Sequence, residues 1–349
     1  MKFDNKLKLA ALSGVCALVA AGVAIAQTAP GAAAPGAAPA ARAPNPNAQN
    51  SDPATTGYRP QSTINGVVYP FPAVEDTLGV LDNLPATAPA KPKKARKVLV
   101  FSRSRGFAHS SIPLTAFAVR EMGLKTGAWE TTITYNPDDI NTANLARFDV
   151  LVLNNTTGAF LDDDNAAATA ARKAALLAFV RGGKGLTLLH AATDSYRAQG
   201  KSTWPEWSHI AGGFFKFHWN LPQEVTVRID DPKSPLNAGF GGKSFVIHDE
   251  IYTVMQDEFS TPKNYHVLTS VDYSKMSDAD KAKEPAATRR TDGHYRLSSI
   301  QKEGEGRVYN NVLGHSEHVL TNPAILQQVL AGIQYAAGDL AAPDAPSAK

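Results

Sequence analysis

The chain has 349 residues, 19% of them charged, with a formal net charge of +3. Both signs are interspersed, so there is no footprint for nucleic acid and no such partner is expected. Its one cysteine, Cys16, lies in a segment expected to be removed, which leaves the mature protein without disulfides, a thiolate nucleophile or cysteine-ligated zinc.

That segment, residues 1–26, starts with Lys2, Lys6 and Lys8, runs through LAALSGVCALVAAGVAIA and closes on Ala24-Ile25-Ala26. A basic start, an apolar run and a small-x-small end are the marks of a secretory signal peptide. The protein is therefore expected to be periplasmic or secreted, with no membrane span after cleavage. Residues 27–60 are dominated by Ala, Pro, Gly and Asn and read as a disordered tether, because they bury too little apolar surface to offset the entropy of ordering. Residues 61–96, ending in ATAPAKPKKARK, read as an extended arm and linker lying on the domain. The folded domain spans 97–340, an acceptable size for one α/β unit, and 341–349 form a disordered tail.

Within the domain the hydrophobic period alternates. KVLVFSR (97–103) is a buried strand, and its exit loop FSRSRGFAHSSI carries Arg103, Arg105 and His109. SIPLTAFAVREMGLKTG (111–127) predicts a helix, with Ser111 as cap and Pro113 in its first turn. WETTITYNP (129–137) is a strand, NTANLARF (141–148) a short helix, and DVLVLNNTT (149–157) an apolar strand ending near Asn154 and Asn155. ARKAALLAFVRGG (171–183) is a helix stopped by Gly182 and Gly183. The strand from Gly185 to Leu189 then ends on His190. This alternation means a parallel sheet with helices on both faces. Side chains at the carboxyl ends of such strands line the ligand crevice, which gives His190 a functional position and makes His109 and Asn155 its neighbours.

After His190 the alternation stops. WPEWSHIAGGFFKFHWN (204–220) is rich in aromatics and holds His209 and His218, HDEIYTV (248–254) places Asp249 and Glu250 beside His248, and GEGRVYNNVLGHSEHVL (304–320) ends a strand in Gly314-His315. The aromatics suit a core, and, flanking glycines and histidines, they also suit a carbohydrate pocket. Asp249 and Glu250, being adjacent on a strand, point to opposite sides and cannot form a glycosidase carboxylate pair.

The ordered segments GFAHSSI, GGKGLTLLHAATD, Gly-Gly-Phe-Phe-Lys-Phe-His, His248-Asp249-Glu250-Ile251-Tyr252 and GEGRVYNNVLGH resemble the ThuA-like (trehalose utilisation) family over about residues 97–338. The resemblance implies an α/β fold of flavodoxin-like, class I glutamine amidotransferase-like type, a three-layer sandwich with a mostly parallel sheet and β-rich insertions. It also implies a role in sugar catabolism and, for some members, processing of 3-keto sugars and glycosides. The segment PAATRRTDGHYRLSSI from Pro285 departs from the family, whose members usually carry a Trp there. Glutaminase chemistry needs a thiolate at the strand-end elbow; here His190 stands there and no cysteine remains.

Neutral imidazoles with a carboxylate suit a divalent metal such as zinc, manganese or iron, with a position left open for water or a substrate oxygen. The metal set read from the sequence is His190, His218, His315 and Glu250, the catalytic set His109, His190 and Glu250, and the substrate-binding set Arg103, Asn155, Asp194 and Trp219. No nucleotide cofactor is expected. A metal-free site using the same imidazoles as acid and base stays open, as does the role of Asp194, which either supports His190 or caps a following helix. With a keto sugar as the small-molecule partner, the C3 carbonyl acidifies the C2 proton, so a base can form an enolate that expels the group on C1. The sequence thus supports a keto-sugar lyase, hydrolase or isomerase, with a non-catalytic carbohydrate-binding domain or an envelope interaction protein as alternatives. Oligomeric state is not legible.

Overall fold

The apolar runs that alternate with amphipathic segments become strands and helices of one large mixed sheet. The computed structural model describes residues 61–64 and 66–348; the expected signal peptide (1–26) and tether (27–60) lie outside them. In chain order, β1 (Gln61–Ile64) and β2 (Val67–Pro70) form a hairpin followed by α1 (Val74–Asn83). The domain proper starts with β3 (Lys97–Phe101), α2 (Ile112–Thr126), β4 (Glu130–Thr134), α3 (Thr142–Leu145), β5 (Val150–Asn154), α4 (Ala166–Arg181) and β6 (Gly185–Leu189). Then come β7 (Arg197–Ala198), β8 (Lys201–Ser202), α5 (Pro205–Ala211), β9 (Phe215–Ile229), β10 (Phe245–Val254), β11 (His266–Val271), α6 (Asp278–Lys283), β12 (Arg296–Glu303), β13 (Gly306–Asn311) and α7 (Pro323–Ala336).

Nine strands make one sheet in the order β10-β9-β11-β12-β13-β6-β5-β3-β4. Strands β4, β3, β5, β6 and β13 are mutually parallel, while β12, β11, β9 and β10 continue the same sheet antiparallel. The β-rich part therefore extends the parallel sheet edge to edge. β4 at the edge is mostly exposed, whereas the inner strands β3, β5 and β6 are buried on both faces, which explains their apolar runs. Alternation divides them between two cores: Val98, Val100, Val150 and Val152 face one with α2 and α7, whereas Leu99, Phe101, Leu151, Leu153 and Leu188 face the other with α4 and α5.

Four local expectations change. Ser111 makes no side-chain cap bond to α2; its hydroxyl donates instead to the Gly314 carbonyl, 3.0 Å away. The helix expected over 171–183 begins earlier, at Ala166, because Asn165 accepts from the Ala168 N–H and caps it. Residues 61–96 are not an extended arm. Val80 in α1 and Leu84, just past its end, are buried in the core of α2 and α7, and Gln334 exchanges hydrogen bonds of 3.0 and 2.6 Å with the Ala90 backbone. The tail is likewise fixed through Ala348: Val267 N–H donates to Ser347 Oγ at 2.8 Å, and Tyr335 donates to Asp344 at 2.9 Å. Among the described residues no helix is long and apolar enough to cross a membrane.

Candidate active site

β6 ends where small residues force the chain to turn. His190 follows Leu189 with φ of 43° and opens a 3-10 turn, His190–Thr193, whose Ala191 and Ala192 are fully buried. A histidine in this left-handed region is uncommon and costs free energy that the surrounding packing must sustain, a pattern found at functional sites. Its Nδ1 lies 2.7 Å from the Val312 carbonyl. A carbonyl only accepts, so Nδ1 carries the proton and, in the neutral ring, Nε2 offers its lone pair. Asn155, at the end of β5, also has positive φ, 52°; its amide donates to Asn154 at 2.9 Å, and its Oδ1 is buried without a partner among the described residues.

His315 leaves β13 on a loop that Asp249 holds. The fully buried Asp249 carboxylate accepts from Gly314 N–H at 2.8 Å, Ser316 N–H at 3.1 Å and Ser316 Oγ at 3.0 Å. Next to it Glu250 occupies a register shift between Asp249, opposite Gln223, and Ile251, opposite Trp219. Adjacent carboxylates thereby take separate tasks: Asp249 fixes the His315 loop and Glu250 meets the imidazoles.

His190 Nε2 and His315 Nδ1 are 3.3 Å apart, His315 Nδ1 and Glu250 Oε2 are 2.8 Å apart, and Glu250 Oε2 and His190 Nε2 are 3.7 Å apart. The point equidistant from these atoms lies about 1.9 Å from each, just inside the roughly 2.0 to 2.2 Å that nitrogen and oxygen ligands keep from zinc. His109, on the loop after β3, completes a buried group of four whose ligand atoms all fall within 4.8 Å of one another. Its ring centroid is 4.9 Å from those of both His190 and His315. His218, expected among the ligands, stands on the other side of the carboxylate, its Nδ1 3.1 Å from Glu250 Oε1. The cluster His109, His190, Glu250 and His315 can thus hold a metal ion, with His218 on the remaining Glu250 oxygen.

Electrostatics follow the packing. Burial alone would raise the Glu250 carboxyl, but His190 and His315 outweigh it and hold the group well below the usual carboxylate range. Burial opposes charge on His315, yet its bond to Glu250 raises it above the ordinary imidazole value. Burial, reinforced by His190 and His315, drives His109 far down and keeps it neutral. Burial likewise lowers His218, against the pull of Glu250. Tyr252 is pushed well up, by burial first and then by Glu250.

The remaining sequence candidates divide. Asp194 neither bonds His190 nor caps a following helix; its backbone closes the 3-10 turn His190–Thr193 and its Oδ1 accepts from Arg197 Nε at 2.5 Å. Arg103 turns to the other face of the sheet, where it donates to the Phe160 carbonyl at 2.9 Å. Trp219 is fully buried core, its Nε1 donating to the Asp280 carbonyl at 2.8 Å and its ring packed edge-on to Phe217 and Tyr295; neither residue lies with the imidazoles. Tyr252, which the sequence reading missed, is in the site: its ring lies 4.5 Å from His190 and its hydroxyl 3.4 Å from His109 Nε2. The signal was present in HDEIYTV, because residues 250 and 252 share one face of a strand.

The family model described as ThuA, trehalose utilisation, matches residues 97–336. Among solved structures, a ThuA-like protein from Bacteroides uniformis is similar at 19% identity and a TM-score of 0.51, covering 70% of this chain and 94% of its own. Another, from Parabacteroides merdae, has 16% identity and a TM-score of 0.46 over 72% and 93% of the two chains. No curated protein matches. The first structural likeness supports the mixed α/β fold, and the family match covers most of the chain, with all the clustered imidazoles and Glu250 inside it. On that match the chain belongs to the ThuA, trehalose utilisation, family.

Proposed function

We propose that this protein acts on oxidised sugars, 3-keto sugars or their glycosides, by enolisation followed by elimination, hydrolysis or isomerisation. The observation that carries this reading is the triangle of His190 Nε2, His315 Nδ1 and Glu250 Oε2, buried beside a neutral third imidazole. His190, His315 and Glu250 would hold a divalent ion. When bound, it supplies positive charge to a developing oxyanion.

The chain's own groups do the rest. His109 is kept neutral by burial, and its Nδ1 has no hydrogen-bond partner among the described residues, so in the tautomer whose Nε2–H faces Tyr252, Nδ1 is a base for the C2 proton. The C2–H electron pair moves toward the keto carbon, and the charge gathers on its oxygen. Loss of the C1 substituent then breaks the glycosidic bond, with the proton returned to the leaving oxygen. His190 is held by Val312, and the His315 loop by Asp249, so neither ring reorganises during the reaction. Asn155, beside His190, is proposed to contact substrate. The parallel strands, in the order 2-1-3-4-5 among themselves, support assignment to the flavodoxin-like, glutamine amidotransferase-like class.

Purified protein should hold a divalent metal in stoichiometric amount and turn over a 3-keto glucoside. Glu250→Ala and His315→Ala should each lose the metal and at least about 100-fold in kcat/KM, since even outer-shell changes cost 10- to 100-fold. Full metal retention in both variants would overturn the assignment. Export is proposed on the N-terminal pattern; N-terminal sequencing of protein from the cell envelope should begin near Gln27, and an intact Met1 would contradict it.

A further inference from the structure

The imidazole cluster is closed on most sides. His109, His190, His315 and Tyr252 are buried, whereas 27% of the His218 side chain and 10% of the Glu250 side chain are exposed. A ligand approaching Glu250 along this side passes His218, and the groups beside His218 form the rim it crosses. The Phe215 ring lies 5.6 Å from His218 and 4.7 Å from Tyr252. Over Phe215, at 4.5 Å, sits the guanidinium of Arg197, whose Nε donates to Asp194 at 2.5 Å.

This pair is built and reachable. Arg197 stands at the start of the β7–β8 hairpin between Tyr196 and Gln199, both with positive φ, 51° and 50°, an uncommon conformation for residues other than glycine. Stacking on Phe215 and the bond to Asp194 fix the guanidinium before any ligand arrives, so little side-chain freedom is lost on binding. Its side chain is 35% exposed and that of Asp194 is 19% exposed. The bond to Asp194 uses Nε and does not draw on the two terminal nitrogens.

We propose that Asp194 and Arg197 form a subsite for the part of the substrate beyond the reacting ring, and that this part is a second sugar gripped through vicinal hydroxyls; the proposal rests on the keto-sugar reading. The chemistry follows from the donor and acceptor inventory. A carboxylate only accepts and a guanidinium only donates, while each hydroxyl of a diol does both. Side by side and with charges that cancel, the two match a neutral diol. A phosphate or carboxylate would meet repulsion from Asp194, and an aliphatic group would desolvate the pair without giving a partner to the terminal guanidinium nitrogens.

The test measures binding of an α-linked glucose disaccharide and of methyl α-glucoside to the full chain by calorimetry, together with turnover of their 3-keto forms. For Arg197→Ala and Asp194→Asn, the loss of affinity for the disaccharide should exceed the loss for the methyl glucoside at least about 10-fold, a difference of about 1.4 kcal/mol. Arg197→Lys should recover little of it, because an ammonium lacks the planar fork. Equal losses on both ligands, no loss on either, or no binding of the disaccharide by the wild type would overturn the subsite. So would tighter binding of a sugar phosphate that depends on Arg197, which would make the rim an anion site. If the disaccharide dependence holds but no 3-keto glycoside is turned over, the subsite stands and the proposed reaction falls.

Discussion

The parallel half of the sheet delivers His109, His190 and His315 from the loops that leave β3, β6 and β13, close beyond the ends of strands buried on both faces. The antiparallel half delivers Glu250, Tyr252 and His218 from within the β9–β10 hairpin. β9 pairs with β11 only at Val227, Arg228 and Ile229, so Phe215–Trp219 and their β10 partners run past β11 to the loops after β6 and β13. Position in the first half depends on a packed core. In the second it depends on register, since a slip of one residue would turn Glu250 and Tyr252 away from the imidazoles.

The largest break in this comparison should come from the parallel core. Leu188 is fully buried between α4, α5 and the sheet, two residues before His190. Leu188→Ala should cost about 2 to 5 kcal/mol of unfolding free energy, through lost transfer energy and the cavity left behind. Urea denaturation measures it. A cost below about 1 kcal/mol would mean that the His190 edge does not rest on this core.

The hairpin should break differently. Asp249→Asn keeps one acceptor but turns an amide N–H₂ toward one of the two backbone donors that now reach the carboxylate, Gly314 N–H or Ser316 N–H. The His315 loop should loosen while the sheet stays folded. Divalent metal affinity should fall about 10- to 100-fold, as for groups that orient a metal ligand, and a metal titration followed by far-UV circular dichroism separates this from unfolding. Unchanged affinity would show that His315 is positioned by its own loop alone.

The sequence exposes these halves unequally, for physical reasons. Strands buried on both faces are continuous apolar runs, so KVLVF, VLVLN and GLTLL announce themselves, and the residue just after each stands at the ligand edge. His190 was legible on that ground; His315 was read as ending a strand, but β13 closes at Asn311 and His315 stands four residues further on, in the loop that Asp249 holds. In β9 and β10 the same residues serve core and site by alternation, and the face cannot be assigned until one position is anchored. Taking His218 toward Glu250 would have sent Trp219 to the opposite face, and taking Glu250 inward would have brought Tyr252 with it. Arg103 failed for a related reason: it lies two residues past β3, where the strand period still sends its side chain to the Phe160 face. The arm failed because its burial rests on Val80, the partly buried Leu81 and, just past α1, Leu84, while Val74 and Leu78 are exposed.

The smallest effect expected comes from the antiparallel half, which buries Arg290 and Arg296 and, partly, His294. Burial, followed by the charges of Arg290 and Arg296, lowers the His294 imidazole to about 4, and its Nε2 lies 3.0 Å from the Tyr265 hydroxyl. In the unfolded chain the same ring titrates near its ordinary value of 6.5. Between these two values the unfolded state binds a proton that the folded state does not, so stability falls as pH drops from about 6.5 toward 4, and below that this group adds no further loss. Allowing for the partial exposure of the ring, the contribution between pH 7 and pH 5 should be about 1 to 2 kcal/mol. His294→Gln, which can still face the Tyr265 hydroxyl with an amide, should flatten that part of the pH profile while leaving stability at pH 7 within about 1 kcal/mol. Urea denaturation of both proteins at pH 7 and pH 5 decides it, and an identical pH difference in wild type and variant would place the acid sensitivity elsewhere than in the antiparallel half's buried histidine.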